Sequence, residues 1–144
     1  MIKTEDRFAI LEVIAQYSYT YDARDADGFA SLFTDDAVWE LYSSDQAEPD
    51  IELKSQEEIR EWAANRLKGR VGKINSRHHQ SSTVFRNCST DYAETRTMIL
   101  VTHHELGDPY PIPTISGEYQ DILKKTTDGW KFAKRVLQSD KFVS

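Results

Sequence analysis

Near Gly69 and Gly72 the spacing of apolar residues changes from a helical repeat to a strand-like one, and it does not change back. Upstream, about Thr4 to Asp25 carries Ile10, Leu11, Ile14, Ala15, Tyr17, Ser18 and Tyr21 at three- and four-residue intervals, the signature of an amphipathic helix. Thr4 followed by Arg7 gives only a weak start signal. A short second helix is expected over Ala26 to Phe33, with Phe29, Leu32 and Phe33 inward. The run Thr34, Asp35, Asp36 breaks it, and Ala37 to Tyr42 reads as a first strand. Ser43 to Asp50 is a polar loop, after which Ser55 and Glu58 form a capping box for a helix at about Gln56 to Lys68. Four strands follow, at about Asn75 to Arg86, Tyr92 to His104, Ile115 to Lys125 and Trp130 to Gln138. Asn87 to Asp91 and Thr127 to Gly129 are hairpin turns, the latter with an Asp-Gly pair. Gly107 to Pro113 holds three prolines and is expected to be irregular. Early helices and a late antiparallel sheet indicate an α+β fold with helices on one face of a curved sheet. There is no repeat or linker, so residues 1–144 form one domain, long enough to bury a core without staples.

Charge and composition exclude several functions. The formal net charge of −6 opposes nucleic-acid binding, which needs clustered Lys and Arg. The densest basic run, Arg66 to Lys73, follows a helix and reads as C-terminal capping of its dipole. No apolar run approaches the ~20 residues that cross a bilayer, so no membrane association is expected. The acidic N-terminus resembles neither a signal nor a transit peptide, which points to the cytoplasm. Cys88 is the single cysteine, read as a small packed hydrophobe. The GxGxxG, GxxxxGK[ST] and GxSxG patterns are absent, removing the commonest dinucleotide, nucleotide and serine-hydrolase readings.

Two places carry chemistry. Eleven residues of helix bring Asp22 to within about 20° of Leu11, so a carboxylate ends the stripe Leu11, Ala15, Ser18, Asp22. A core-facing carboxylate is costly unless it is hydrogen-bonded or paired. The second place is the strand Asn75 to Phe85, where alternation sets His78, Gln80, Ser82 and Val84 on one face and His79, Ser81, Thr83 and Phe85 on the other. Only one of the adjacent histidines then faces a pocket. Histidine shuttles protons near neutral pH, and a carboxylate partner fixes its tautomer. His103 and His104, followed by Glu105, point opposite ways and lack metal-ligand spacing, so no metal is expected. Tyr17, Tyr21, Trp39, Trp62 and Tyr119 are the aromatics able to line an apolar pocket, with Leu41 and Met98 as further candidates.

The segments Tyr21-Asp22 with RDADGFASLFTDDAVW, RHHQSSTVF, SGEYQD and DGWKFAKR together resemble the SnoaL-like, polyketide-cyclase-like branch of the nuclear transport factor 2-like superfamily, over nearly the whole chain. The resemblance implies a cone-shaped, mostly antiparallel sheet (a cystatin-like roll) that encloses one pocket with three helices from the N-terminal half. Within the family the chain is most similar to scytalone dehydratases and hexachlorocyclohexane dehydrochlorinases, which use a helix-borne Asp and a strand-borne His. Asp22 and His78 fall at those two positions, and Tyr21 at a tyrosine that precedes the dehydratase Asp. The dehydratase's second histidine is sought in Gly117 to Asp121, where there is none, and a second substrate tyrosine matches Leu41, beside Tyr42.

The resemblance implies a lyase or isomerase without cofactor or metal, in which His78, oriented by Asp22, takes a carbon-bound proton from a small hydrophobic, cyclic or aromatic substrate. Tyr21 or Tyr119 would donate to the developing oxyanion. Two alternatives are a non-catalytic ligand-binding or assembly domain and a small β-type subunit of a ring-hydroxylating oxygenase. Apolar residues on both faces of Met98 to Val101 add the expectation of a homodimer formed through the sheet.

Overall fold

Three helices and six strands follow in the order α1 (Thr4–Asp22), α2 (Ala26–Ser31), β1 (Phe33–Tyr42), β2 (Ile51–Leu53), α3 (Gln56–Lys68), β3 (Ile74–Cys88), β4 (Tyr92–Glu105), β5 (Ile112–Thr126) and β6 (Gly129–Ser139). They come from a computed structural model that describes residues 1–43 and 47–140; part of the expected loop Ser43 to Asp50, residues 44–46, lies outside them. One sheet carries all six strands in the order β2-β1-β6-β5-β4-β3. Neighbours are antiparallel except β1 and β6, which run parallel. The fold is α+β, with helices over one face of a curved open sheet. None of the helices is long and apolar enough to cross a membrane.

α1 buries Asp6, Ile10, Ile14, Tyr17, Ser18 and Tyr21. Leu11 and Ala15, assigned by spacing to the stripe of Asp22, are exposed, because the buried face is turned by one residue toward Ile10 and Ile14. Asp22 sits at the edge of that face. The helix ends there because Arg24 adopts a left-handed conformation (φ 62°) and folds the chain back. The Arg24 guanidinium then donates to the carbonyl of Ile74, 2.7 Å away, which ties the end of α1 to the start of β3. At the other end, Asp6 accepts from Lys125 Nζ (2.8 Å) and Trp130 Nε1 (2.9 Å), anchoring α1 to β5 and β6.

Several expectations are corrected. Phe33 opens β1 instead of closing α2. The Asp25 side chain caps only a six-residue helix, and Phe132 N–H bonds the Leu32 carbonyl, drawing the chain into the sheet. Thr34 to Asp36 do not break the strand but form an irregular stretch between the paired positions Phe33 and Val38. The short β2 lies at the far edge. Ile112 and Pro113 belong to β5, where a register shift at Val101/Thr102 accommodates a residue without an N–H. In β3, Ser82 has a left-handed φ of 56° and the pairing slips between Ser81 and Val84. The extra residue inverts the alternation beyond it. Ser76, His78 and Gln80 point inward, but so do Thr83 and Phe85, while Ser82 and Val84 face outward.

The core lies between the helices and the inner sheet face, around fully buried Ile10, Phe29, Phe33, Ile59, Leu123 and Phe132. Burying each such side chain contributes about 1.5–3 kcal/mol. Against it lies a buried ion pair. Arg135 on β6 donates from Nε to Asp121 Oδ1 (2.9 Å), and from Nη2 to Asp121 Oδ2 (3.2 Å) and Gln80 Oε1 (2.6 Å). Its guanidinium carbon stands 3.7 Å from the Tyr119 ring centroid and 4.1 Å from that of Tyr17. Burial of Asp121 opposes its charge, and the Arg135 guanidinium opposes that rise.

Candidate active site

The last turn of α1 and the middle of β3 bring together Asp22 and His78, 56 residues apart in the chain. Their side chains are 5% and 11% exposed. Asp22 Oδ1 lies 2.7 Å from His78 Nδ1 and accepts a hydrogen bond from Ser76 Oγ at 3.1 Å. Oδ2 accepts the His78 backbone N–H at 2.9 Å. That N–H is on the free side of β3, the outermost strand of the sheet, so no neighbouring strand competes for it. Three donors satisfy the carboxylate and hold it in place. With Nδ1–H donated to Asp22, the neutral ring keeps its lone pair on Nε2, which has no hydrogen-bond partner among the described residues. The edge of the ring is packed by Tyr21, with centroids 4.9 Å apart.

His78 forms part of the wall of a cleft between α1, α3 and the inner sheet face. Of the candidates for substrate contact, Tyr17, Tyr21, Trp39, Leu41, Trp62 and Tyr119 all line it. Met98 does not. It is 60% exposed on the outer face, because Ile99 and Val101 are the inward residues of that run. The cleft is narrow, with a volume of about 60 Å³, and partly open to solvent.

At its floor, the Tyr17 hydroxyl accepts from Trp39 Nε1 (3.1 Å) and from Tyr119 Oη (3.4 Å). Burial raises the pKa of all three tyrosines, Tyr119 most clearly, so the phenols stay protonated. Tyr119 already donates to Tyr17, which leaves Tyr21 as the better placed donor toward a ligand. Burial of Tyr21 is opposed by the charges of Arg66 and Arg70.

The SnoaL-like domain family matches residues 3–136. The chain belongs to this family. Solved structures similar to this SnoaL-like domain include a function-unknown protein of Mycobacterium tuberculosis (26% identity, TM-score 0.79, covering 94% of this chain and 72% of that one). A provisionally assigned scytalone dehydratase from Novosphingobium aromaticivorans is 22% identical, with TM-score 0.77, covering 96% and 89%. The β subunit of a provisionally assigned aromatic-ring-hydroxylating dioxygenase from the same organism is 17% identical, with TM-score 0.80, covering 94% and 89%. A search of curated proteins finds no match. Such neighbours share the fold of this chain, and a shared fold does not fix a reaction.

In this SnoaL-like domain the wall also contains residues that sequence reasoning missed, chiefly His103, Arg66 and Arg70. A second histidine therefore does reach the cleft, from β4 and not from the Gly117 to Asp121 stretch of β5. Ser76 pairs with His103 and His78 with Val101, which sets both histidines on the inner face. The inward alternation Ile99, Val101 was the available signal. Burial, then the charges of Arg70, His78 and Arg66, lower the His103 pKa. Arg66 and Arg70 were read as helix capping. Arg66 is indeed in the last turn of α3, one turn beyond Trp62 on the same face, and Arg70 follows two residues past the end of the helix, yet all three line the cleft. His79 faces away and lies 3.2 Å from Thr102 Oγ1. Among the described residues, no group of three or more His, Cys, Asp or Glu side chains is arranged to hold a metal ion.

Proposed function

We propose that this SnoaL-like domain is a lyase or isomerase in which the Asp22–His78 dyad removes a carbon-bound proton from a small, largely apolar, cyclic or aromatic substrate. The observation that carries the reading is His78, which lines the aromatic cleft with its Nδ1 held 2.7 Å from Asp22 and its Nε2 without a hydrogen-bond partner among the described residues. Nε2 takes the proton; the C–H electron pair becomes a carbon–carbon double bond or an enolate. In an elimination, a β-hydroxyl then accepts a proton and leaves as water. In an isomerisation, the proton returns to a different carbon. Asp22 balances the histidinium, and Tyr21 donates to the oxygen on which charge builds. The transfer needs no metal or organic cofactor, and general-base action of this kind contributes about 10²–10⁴-fold.

The test is a panel of cyclic ketones and β-hydroxy carbonyl compounds incubated in D₂O, followed by NMR for deuterium uptake or loss of water. The wild type is expected to exchange or eliminate at least one of them. His78→Ala and Asp22→Asn should each lower the rate by about 10²–10⁴-fold, and the double variant should fall little further, because the pair acts as one unit. His79→Ala is expected to keep the rate. No exchange across the panel favours a ligand-binding or subunit role. A His79→Ala loss with His78→Ala spared overturns the dyad.

A further inference from the structure

The chain is acidic overall, with 24 Asp and Glu against 18 Lys and Arg, yet the cleft wall reverses that balance. Among the described residues it contains Arg66, Arg70, His78 and His103 and no Asp or Glu. Six basic side chains elsewhere among the described residues are paired with carboxylates, Lys54 with Glu52, Arg60 with Glu57, Arg96 with Glu118, Lys125 with Asp6, Lys134 with Glu40 and Arg135 with Asp121, while others, such as Arg24, are not. Arg66 and Arg70 have no such partner among the described residues. Arg66 lies over the Trp62 ring, 5.4 Å from its centroid, and Arg70 Nη1 is 3.4 Å from His103 Nε2. Arg24 bonds the carbonyls of Ile74 (2.7 Å) and Arg70 (3.5 Å), fixing the backbone that carries the second arginine.

We propose that Arg66 and Arg70 bind an anionic group of the substrate, a carboxylate, so that the cleft takes a small unsaturated or aromatic acid in place of a neutral hydrocarbon. The inference rests on the cleft being the substrate site of the proposed enzyme, and it names the substrate class. Planar guanidinium groups match a carboxylate through paired N–H donors, and such charge-assisted bonds are about twice as strong as neutral ones. The aromatic wall receives the ring or double bond, while the arginines receive the acid. The same charges suit the reaction, since removing a proton beside a carboxylate builds a second negative charge on it. An anion seated there also offsets the charges of Arg70 and Arg66, which act with burial and His78 to lower the His103 pKa.

The experiment compares charge at constant shape. Benzoate and crotonate, with benzamide and crotonamide as neutral counterparts, are titrated into the full chain and followed by Trp39 and Trp62 fluorescence and by histidine NMR. One or both acids should bind at least tenfold more tightly than the matching amide. Arg70→Gln and Arg66→Gln should each remove most of that preference, Arg70→Lys should restore part of it, and saturating acid should raise the His103 pKa. Equal affinity for acid and amide, or no binding of either acid at millimolar concentration, overturns the proposal without any variant. Binding needs no turnover, so the two readings fail separately. Acid binding with no proton exchange on any compound overturns only the dyad. Exchange on neutral ketones with no acid preference overturns only the anion site.

Discussion

Removing the carboxylate of Asp121 should be among the most damaging single changes in this protein. Arg135 and Asp121 are both wholly buried. In Asp121→Ala the guanidinium loses two charge-assisted bonds at 2.9 and 3.2 Å and keeps one acceptor, Gln80, at 2.6 Å. Its Nη1 already lacks a hydrogen-bond partner among the described residues, so the group starts incompletely satisfied. Thr95 also loses the carboxylate oxygen it donates to. Breaking a buried pair from one side costs about 3–5 kcal/mol, against roughly 5–15 kcal/mol for a whole domain. Urea denaturation reads this directly. With a slope of about 2 kcal/mol/M, the midpoint should fall by about 1.5–2.5 M. Asp121→Leu combined with Arg135→Met removes both charges at similar volume and should recover most of the loss. A cost below about 1 kcal/mol for Asp121→Ala at unchanged slope, or a double variant as weak as the single, would refute the view that this pair is a desolvated unit under the cleft floor.

Gly117→Ala should lower stability by about 1–3 kcal/mol, read from the urea midpoint, because a Cβ there would stand 2.2 Å from the Gln138 carbonyl oxygen and 3.0 Å from Ser139 Cα; an unchanged midpoint argues against that close approach of β5 and β6. The lowered His103 pKa means the unfolded chain binds its proton more readily, so the histidine's stabilising effect is full above about 6.5 and is lost as pH falls from there through the lowered value. His103→Gln should flatten that part of a melting-temperature profile, and an identical profile for variant and wild type counts against the assignment. Met98, Leu100 and Val84 expose apolar surface on the outer sheet face. Sedimentation at micromolar concentration is expected to show a dimer that Met98→Lys weakens, and a wild-type monomer at every concentration removes the expectation.

Much of this architecture is legible because its signals are local. The Ser55–Glu58 box starts α3 where expected, with the Ser55 side chain accepting the Glu58 N–H at 3.1 Å. The Asp128-Gly129 turn joins β5 to β6, with Gly129 at a φ of 100°. What escaped depends on distant partners. β2 is three residues long and exists only by pairing with β1. The bulge at Ser82 leaves no mark in composition, yet it inverts which residues face inward beyond it. Met98 was misplaced because Met-Ile-Leu-Val is apolar on both faces, and alternation alone cannot choose between them. Asp22 was legible as an oddity and His78 as one of two. That Asp22 holds a histidine which shares one cleft with Arg66, Arg70 and His103 required the roll itself.

The bond from the His78 amide to Asp22 has a consequence for how such sites are inherited. An outermost strand with free N–H groups is a template for another chain, and proteins blunt such strands to stay unaggregated. Asp22 occupies one of those N–H groups, and two residues further along the Gln80 side chain, through its Nε2, ties the same strand to the Ile14 carbonyl on α1. The aspartate thus guards a sticky margin whether or not any reaction takes place. A descendant that lost the histidine would still aggregate less by keeping the aspartate. An acid at this place in a relative is therefore weak testimony to catalysis, and the imidazole beside it is the more discriminating witness.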